Sequence, residues 1–387
     1  MNCISNRGDN MRPFIKILCV VMISFIGGMP CAGACTSLRV KTTDGMVFYA
    51  RTMEGETPFD STVSVIPKGT EYRGILPDGT QEGLRWVTKY GMVGMNTFGL
   101  PAISDGMNDA GLAAGNLMFP GFAGYQTFDP AQSSRTIAQF EVVTWILSNF
   151  ATVAEVKAGI TSIRVSKGLV AKVGDLALHY TVHDSKGNSL VIEYVGGELK
   201  VYDNPIGVMT NSPPFDWQQI NLRNYVNMSA TNAKPLTVEG LKASGFGQGS
   251  GMLGLPGDYT PPSRFVRMVA LVESSLPVTG TEEGLNLAMT IINNIDIPIG
   301  SVRDASGKEV AYDRTQWAAV SDLARQRFYF RTYNNKDWRM VDVTKALAVA
   351  KGITTIPVEM PAVYRDVTTE AKESGPLPAA YYPSGKP

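Results

Sequence analysis

The chain has 387 residues with 35 basic and 35 acidic side chains, so its formal net charge at pH 7 is zero. This balance offers no electrostatic attraction for nucleic acid or an anionic membrane surface, and it argues against both partner classes. Apolar residues make up 44% of the chain, which is enough for a full core in one large domain.

The first 34 residues have the three parts of a cleaved export signal. Arg12 and Lys16 form a positive start, an apolar run covers residues 17–26, and small residues end at Ala34. A membrane-spanning helix needs about 20 apolar residues, and this run is shorter. We therefore predict a periplasmic or secreted protein, with residues 1–34 as a signal peptide that is cleaved after Ala34.

A lipoprotein signal is the alternative reading of the same segment. It also places a cysteine directly after the cleaved bond, but it usually has leucine three residues before that cysteine, where this chain has Ala32. A diacylglycerol on the sulfur of Cys35 would make the chain a lipid-anchored binding protein rather than an enzyme.

All four cysteines lie within the predicted signal or directly after it. They are Cys3, Cys19, Cys31 and Cys35, and the first three leave with the signal. The mature chain then has one cysteine, which is its first residue, and a net charge of −2, because the signal carries three basic and one acidic side chain. An unpaired thiol is a liability in an oxidising compartment, so its terminal position indicates a function.

The mature sequence predicts one domain over residues 35–372. A hairpin opens it, with strands at Thr36–Thr42 and Met46–Arg51 around a turn at residues 43–45. The tail at residues 373–387 has four prolines and is expected to be extended or disordered.

Helices and further strands follow the hairpin. The spacing of Ile137, Phe140, Val143, Leu147 and Phe150 predicts a helix. Thr152 and Glu155 form a capping-box pattern for the next helix, and Ser263 is the expected cap of a helix over Arg264–Ser274. The remaining predicted elements are a helix at Glu282–Asn293 and strands at Leu176–Asp184, Ser189–Val195, Trp317–Asp322, Arg327–Tyr333 and Trp338–Val343. Grouped strands with paired helices favour an α+β fold.

A cysteine at the N-terminus can be both nucleophile and base. The thiolate is the attacking species, and the α-amine of the same residue titrates near neutrality. Such a site needs a cation for the thiolate, an acceptor for the amine and donors for the tetrahedral oxyanion. The return strand of the hairpin ends level with residue 35, so Arg51 is a candidate cation and Glu54 a candidate acceptor. The spacing alone fits a surface ion pair equally well.

His179 and His183 are the only histidines of the chain. Residues four apart on a strand lie roughly 13 Å apart, so these two cannot bind one metal ion together. We interpret them as structural residues and predict no metal and no cofactor. No G-x-S-x-G sequence stands out, which argues against a serine hydrolase.

Several motifs resemble the choloylglycine hydrolase family of N-terminal nucleophile hydrolases. They are "CTSLRV…DG…FYARTME" from Cys35, "SDGMNDAGLAAGNLMFPG" from Ser104, "IEYVGGELKVYDNPIGVMTNSPPFDWQ" from Ile192 and "LGLPGDYTPPSRFVR" from Leu253. Their order matches the family from Cys35 to at least Trp338. The resemblance implies a four-layer αββα sandwich of two antiparallel sheets between helix layers, and a homotetramer.

The resemblance also assigns roles to individual residues. Cys35 matches the nucleophile and Arg51 the arginine beside the thiol, while Glu54 stands where the family usually has aspartate. Asn211 matches the oxyanion-hole asparagine, and Arg264 matches the arginine near the active centre. Aligning on the Phe119-Pro120-Gly121 segment places the second oxyanion donor at the backbone N–H of Met118.

The function that this resemblance implies is hydrolysis of the linear amide of a small N-acyl compound through a thioester. "VTKYGMVGMNTFG" resembles penicillin V acylases of Gram-negative bacteria, so penicillin V and N-acyl homoserine lactones are the first expected substrates. Conjugated bile acids are the alternative. Met53, Phe98 and Met118 belong to an apolar set around the motifs, some of which is expected to line an acyl pocket.

Overall fold

The computed structural model describes residues 33–170, 174–307 and 309–373 of the chain. Residues 1–32 of the predicted signal (1–34) and residues 374–387 of the predicted tail (373–387) lie outside the described residues. Within these ranges, no helix has both the length and the apolar character needed to cross a bilayer.

Two antiparallel sheets form the centre of the fold. Their strands are β1 (Cys35–Lys41), β2 (Val47–Glu54), β3 (Thr62–Ile66), β4 (Met92–Asn96), β5 (Ile103–Asn108), β6 (Leu112–Met118), β7 (Leu178–Asp184), β8 (Ser189–Val195), β9 (Glu198–Asp203), β10 (Thr315–Asp322), β11 (Arg327–Thr332), β12 (Arg339–Asp342) and β13 (Thr354–Pro357). The order of the first sheet is β1-β2-β10-β11-β12, and that of the second is β9-β8-β7-β6-β5-β4-β3-β13.

The helices cover the outer faces of both sheets. They are α1 (Val142–Asn149), α2 (Val153–Gly159), α3 (Phe215–Asn221), α4 (Pro261–Ser274), α5 (Thr281–Ile292) and α6 (Val343–Val349). Helices α4 and α5 contact the five-stranded sheet, whereas α1 and α2 contact the eight-stranded sheet. The layers are therefore helix, sheet, sheet and helix, and the expected αββα sandwich is confirmed.

Short elements complete the described chain. The short strand pairs are Glu71–Arg73 with Arg85–Val87, Thr136–Ala138 with Arg164–Ser166, Leu169–Val170 with Gly174–Asp175, Leu236–Val238 with Leu241–Ala243, and Val302–Asp304 with Ala311–Asp313. Turns of 3-10 helix lie at Pro130–Arg135, Gln139–Glu141, Ile160–Ser162, Leu222–Tyr225, Ser250–Met252, Asn293–Ile295 and Thr368–Glu370.

The predicted opening hairpin is confirmed. Strand β1 pairs with β2 in antiparallel register, with Cys35 opposite Met53 and Lys41 opposite Val47. Gly45 takes a φ of 87° at the turn, a conformation that glycine adopts without a steric penalty. The register brings the end of β2 level with Cys35.

The alternation of side chains along this hairpin divides it into two faces. Tyr49 and Arg51 reach Asp105 of the eight-stranded sheet. On the other face, Thr36 Oγ1 accepts a hydrogen bond from Arg264 of α4, and Phe48 lies against Gly284 of α5. Alternate residues of β1 and β2 therefore point into the space between the sheets or towards helices α4 and α5.

Two predicted helix starts were wrong. The helix expected from Ile137 begins at Val142, because Thr136–Ala138 pairs in parallel with Arg164–Ser166 and a 3-10 turn intervenes. The helix expected to be capped by Ser263 begins at Pro261, where two prolines suit the first helical positions. The hydroxyl of Ser263 instead donates to Asp258 at 2.6 Å.

The Thr152 cap is present. Its hydroxyl accepts from the backbone N–H of Glu155 at 3.2 Å, while the Glu155 carboxylate accepts from the N–H of Ala151 rather than from that of Thr152. The helix expected at Glu282–Asn293 occupies Thr281–Ile292, and the later strands differ from expectation by one or two residues at their ends.

Candidate active site

Cys35 is the first residue of β1, and its side chain is fully buried between the two sheets. Its sulfur lies 3.5 Å from Nη2 of Arg51 and 3.5 Å from the sulfur of Met53. It is a free cysteine. The thiol therefore faces a guanidinium and a polarisable thioether.

Arg51 is held in place by backbone and side-chain contacts from the eight-stranded sheet and from β10. Its Nη1 donates to the carbonyl of Ser104 at 2.9 Å and lies 3.5 Å from Oδ1 of Asp105, and Trp317 lies 5.2 Å from the guanidinium. Burial by itself lowers the pKa of Arg51, but the charges of Cys35 and Asp105 raise it above the ordinary value. Arg51 therefore stays cationic beside the sulfur.

The backbone nitrogen of Cys35 donates to Oδ1 of Asn211 at 2.8 Å. Nδ2 of Asn211 donates to the carbonyl of Met118 at 2.8 Å, which leaves its second N–H available. Asn211 thus joins Cys35 to the end of β6. In this uncut chain the acceptor nearest the Cys35 nitrogen is Asn211, not Glu54.

The N–H of Met118 points towards the same site. The N–H of Phe119 donates to Ala177 at 2.7 Å, on the side of β7, and successive N–H groups of a strand point to opposite sides. The N–H of Met118 must therefore point away from β7, on the side where its own carbonyl meets Asn211. The pairing of β5 with β6 ends at Gly115, so this side is open at Met118.

Arg264 connects α4 to β1. Its Nη1 donates to the carbonyl of Cys35 and to Oγ1 of Thr36, each at 2.5 Å, and its Nη2 donates to Oδ1 of Asn211 at 2.6 Å. Its Nε donates to the carbonyl of Tyr259 at 2.9 Å. Arg264 therefore fixes the position of Cys35 and Asn211 relative to each other.

Glu54 is buried on the helix-facing side of β2. Its Oε1 accepts from the hydroxyl of Thr315 at 3.1 Å. Burial raises the pKa of Glu54 to about 8, against the opposing charge of Arg264 and the hydroxyls of Thr52 and Thr315. The carboxyl is protonated at neutral pH in this environment, and its part in holding the amine stays a prediction.

Sequence reasoning overlooked the residues that orient Arg51. Asp105 and Ser104 lie in the motif "SDGMN", but spacing along the chain gave no reason to place them against Arg51. Tyr49 precedes Arg51 by two residues, so the alternation of side chains along a strand could have predicted that both lie on the same face of β2.

The two histidines contact protein groups within β7 and its neighbours. The ring of His179 lies 3.0 Å from Oε1 of Glu193 and 2.9 Å from the carbonyl of Thr210. The ring of His183 contacts the hydroxyls of Thr181 and Ser189. Among the described residues no group of three or more histidine, cysteine, aspartate or glutamate side chains could hold a metal ion.

A cleft with a free volume of about 30 Å³, partly open to solvent, leads to Cys35 and Arg51. Its walls are mainly apolar and comprise Met53, Phe59, Phe98, Leu100, Ile103, Met118, Phe140, Leu176 and Leu178. A second cavity of about 190 Å³ shares Leu100, Ala102 and Phe140 with it. An apolar acyl group with its carbonyl at Cys35 suits these walls.

Comparison with known proteins identifies relatives of the whole domain. Residues 35–352 match the linear amide C-N hydrolases, choloylglycine hydrolase family. The bile salt hydrolase/transferase of Clostridium perfringens is 32% identical over 318 residues, which cover 80% of this chain and 93% of that protein. The penicillin V acylase of Pectobacterium atrosepticum is 27% identical over 324 residues, or 78% of each chain.

A solved structure has the same fold over nearly the same length. A variant of the conjugated bile acid hydrolase from Clostridium perfringens superposes with a TM-score of 0.76 at 29% identity, covering 86% of this chain and all of that one. The penicillin V acylase of Agrobacterium tumefaciens, with a TM-score of 0.67 and 24% identity, shares the fold.

The environment of Glu54 predicts a pH dependence of stability. Between about pH 4.5 and pH 8 the folded chain holds the Glu54 proton while the unfolded chain releases it. The free energy of unfolding therefore falls as the pH rises through this window. Glu54→Gln removes this contribution, so the stability of the variant relative to wild type should increase by about 2 kcal/mol or more from pH 4.5 to pH 8.5.

Urea unfolding of both proteins at several pH values measures this difference. Glu82→Gln, at an exposed position, is the control and should leave the pH dependence as in wild type. Parallel stability curves for Glu54→Gln and wild type would contradict the raised pKa of Glu54.

Proposed function

Because the chain belongs to the choloylglycine hydrolase family of linear amide C–N hydrolases, we propose that Cys35 acts as an N-terminal nucleophile on an amide of a bulky apolar acid and a small polar amine. The observation that carries this proposal is the position of the Cys35 sulfur at an apolar cleft, 3.5 Å from a buried arginine. The backbone nitrogen of the same residue is held by Asn211 at 2.8 Å.

The geometry supports the following sequence of events. The freed α-amine of Cys35 takes the thiol proton, and the thiolate attacks the substrate carbonyl. The second N–H of Asn211 Nδ2 and the N–H of Met118 bind the oxyanion. The protonated amine then gives its proton to the leaving nitrogen, the C–N bond breaks, and a thioester remains. Water attacks the thioester and releases the acid.

Conjugated bile acids are the substrate class that we propose first. The names and coverage of the Clostridium perfringens relatives support this choice, and the walls of the cleft beside Cys35 are mainly apolar. The sequence motifs alone favour penicillin V and N-acyl homoserine lactones over bile acids, whereas the relatives support the reverse order. The edge-to-face pair of Phe59 and Phe98 in the cleft wall, with ring centroids 5.3 Å apart, keeps an aromatic acyl group such as that of penicillin V as the second candidate.

We further propose that the chain is exported and cut after Ala34. In the uncut chain Gly33 is buried, and a side-chain carbon at its position would lie 3.1 Å from Met118. The carbonyl of Ala34 accepts from the N–H of Glu54 at 2.7 Å. These two residues therefore occupy space beside the oxyanion donors, and cleavage clears it as it frees the amine.

A homotetramer is the assembly that we propose. Every residue from 229 to 249 is exposed, and this arm contains the strand pair Leu236–Val238 and Leu241–Ala243. Leu236, Val238 and Leu241 share one face of the pair, and more than half of each side chain is exposed. A two-stranded hairpin is marginal in water by itself, so an apolar face on such an arm favours contact with a second copy of the chain.

A substrate panel tests the proposed activity. Glycine- and taurine-conjugated bile acids, penicillin V, and short- and long-chain acyl homoserine lactones are compared by kcat/KM with the mature protein. We expect the highest value for a bile acid conjugate. Cys35→Ser should lose about a thousandfold or more in turnover with an unchanged circular dichroism spectrum. A variant that retains most of the activity would reject Cys35 as the nucleophile, and a clear preference for another panel member would reject the bile acid assignment.

The N-terminus of the exported protein tests the maturation step. Intact-mass measurement and N-terminal sequencing of active material should show an unmodified chain that begins at Cys35. An added acyl mass at Cys35 would support the lipid-anchored binding protein instead, and an active chain with a blocked or different first residue would exclude the α-amine as the base.

Sedimentation measurements test the assembly. The mature wild-type protein should have about four times the monomer mass at micromolar concentration. Leu241→Asp, on the apolar face of the arm, should lower this mass, because a buried carboxylate at an interface is costly. Thr237→Asp, on the opposite face, is the control and should keep the wild-type mass. A monomeric wild-type protein, or no effect of Leu241→Asp, would contradict the proposed interface.

A further inference from the structure

The hydroxyl of Tyr49 is a buried polar group close to the nucleophile that the mechanism above does not use. Tyr49 is 1% exposed and lies two residues before Arg51 on β2, so both side chains enter the space between the sheets. Its hydroxyl donates to Oδ1 of Asp105 at 2.6 Å, a length typical of a strong bond to a carboxylate.

Asp105 stands between Tyr49 and Arg51. The same Oδ1 atom that accepts from Tyr49 at 2.6 Å lies 3.5 Å from Nη1 of Arg51. Nη1 makes its shorter contact, of 2.9 Å, with the carbonyl of Ser104, and Nη2 points to the sulfur of Cys35. The closest partner of the carboxylate is therefore the hydroxyl and not the guanidinium.

Gly115 on β6 makes room for this arrangement. A side-chain carbon at this position would lie 2.5 Å from the Tyr49 hydroxyl and 2.6 Å from Oδ1 of Asp105. Contacts this short require one of these groups to move. The lack of a side chain at Gly115 therefore leaves the space that the hydrogen bond between Tyr49 and Asp105 requires.

The other charged, titratable and aromatic groups near Tyr49 and Arg51 include His183, Trp317 and Arg264. The ring of His183 stacks on Tyr49 at 4.6 Å, and burial, followed by the charge of Arg39, holds the pKa of His183 well below its ordinary value. Trp317 covers the guanidinium from β10. Burial is the largest influence on Asp105 and raises its pKa, and the charge of Arg51 and the hydrogen bond from Tyr49 oppose this only in part. Arg264 is a further cation near Cys35, and it donates to the carbonyl of Cys35 and to the side chains of Thr36 and Asn211 rather than to the sulfur.

We propose that Tyr49 is a positioning residue: by binding Asp105 it keeps this carboxylate from pairing closely with Arg51, so that the guanidinium stays available to the Cys35 thiolate. This inference rests on the proposed role of Cys35 as the nucleophile. Without the hydroxyl, the remaining partner of Asp105 is Arg51, and a closer ion pair would withdraw positive charge from the sulfur. The thiolate would then form at higher pH.

The rate of iodoacetamide alkylation of the mature protein, followed against pH, tests this directly, because Cys35 is its single cysteine. In Tyr49→Phe the pH midpoint of alkylation should rise by about half a unit or more, and kcat/KM should fall at neutral pH and recover at higher pH. Tyr180→Phe removes another buried hydroxyl, which donates to the carbonyl of Gln139 at 2.8 Å, and is the control. It should cost stability without moving the midpoint. An unchanged or lowered midpoint in Tyr49→Phe would overturn the proposal.

Two further variants separate positioning from packing. In Asp105→Asn the competing charge is absent, so the midpoint should fall, and adding Tyr49→Phe should then have no further effect if tyrosine acts through this carboxylate. Gly115→Ala should displace the hydroxyl, raise the midpoint and lower stability, and adding Tyr49→Phe should restore part of the stability but not the midpoint, because the added carbon still meets Asp105. If the midpoint shifts of Tyr49→Phe and Asp105→Asn simply add in the double variant, tyrosine does not act through Asp105 and the proposal is overturned.

Alkylation requires no substrate, so it remains informative if every panel compound is inert. A midpoint shift in Tyr49→Phe without any amidase activity would support the positioning role and reject the proposed function. Amidase activity in the wild-type protein together with an unshifted midpoint in Tyr49→Phe would support the proposed function and reject the positioning role.

Discussion

The antiparallel register of β1 and β2 is the constraint on which the site depends. With Cys35 opposite Met53, the side chains of Cys35, Tyr49, Arg51 and Met53 all enter the space between the sheets. A slip of one residue would turn Arg51 towards the helices and leave the sulfur without its cation. The turn at Gly45 fixes this register where the two strands are joined, and pairing with β10 holds β2 along its length.

The same alternation explains why Arg51 and Glu54 occupy different environments although both are level with the nucleophile. Arg51 is on the face that meets Asp105 and the sulfur. Glu54 is on the face that meets Thr315 and the charge of Arg264, where burial favours its neutral form. A buried charge is tolerated only when it is paired or hydrogen-bonded, and the two arginines meet this condition in different ways. Arg264 is saturated by backbone and side-chain oxygens, whereas Arg51 keeps one nitrogen directed at the sulfur.

Local patterns predicted most of the elements near the site, and their failures have physical causes. The opening hairpin follows from strand-forming residues around a glycine turn, and the helix Thr281–Ile292 lies within one residue of expectation. The start of α1 was misplaced because Ile137 pairs with a distant strand, and tertiary pairing overrode its helical spacing. The cap of α4 was misplaced because two prolines before Ser263 suit the first helical turn, while the serine hydroxyl found Asp258.

The sequence by itself determined that a lone cysteine follows a signal-like segment, that an arginine returns to its level on the next strand, and that family motifs recur in order over the domain. These are local or linear properties, and chain spacing expresses them directly. Only the tertiary structure decided the partners of Asp105, Asn211 and Arg264, since these residues lie 70 to 229 positions from Cys35 and are brought to it by sheet stacking and by α4. Which face of β2 looks at the sulfur, and where a glycine leaves space for a tyrosine hydroxyl, depends on how two sheets pack, and a one-dimensional pattern does not contain that information.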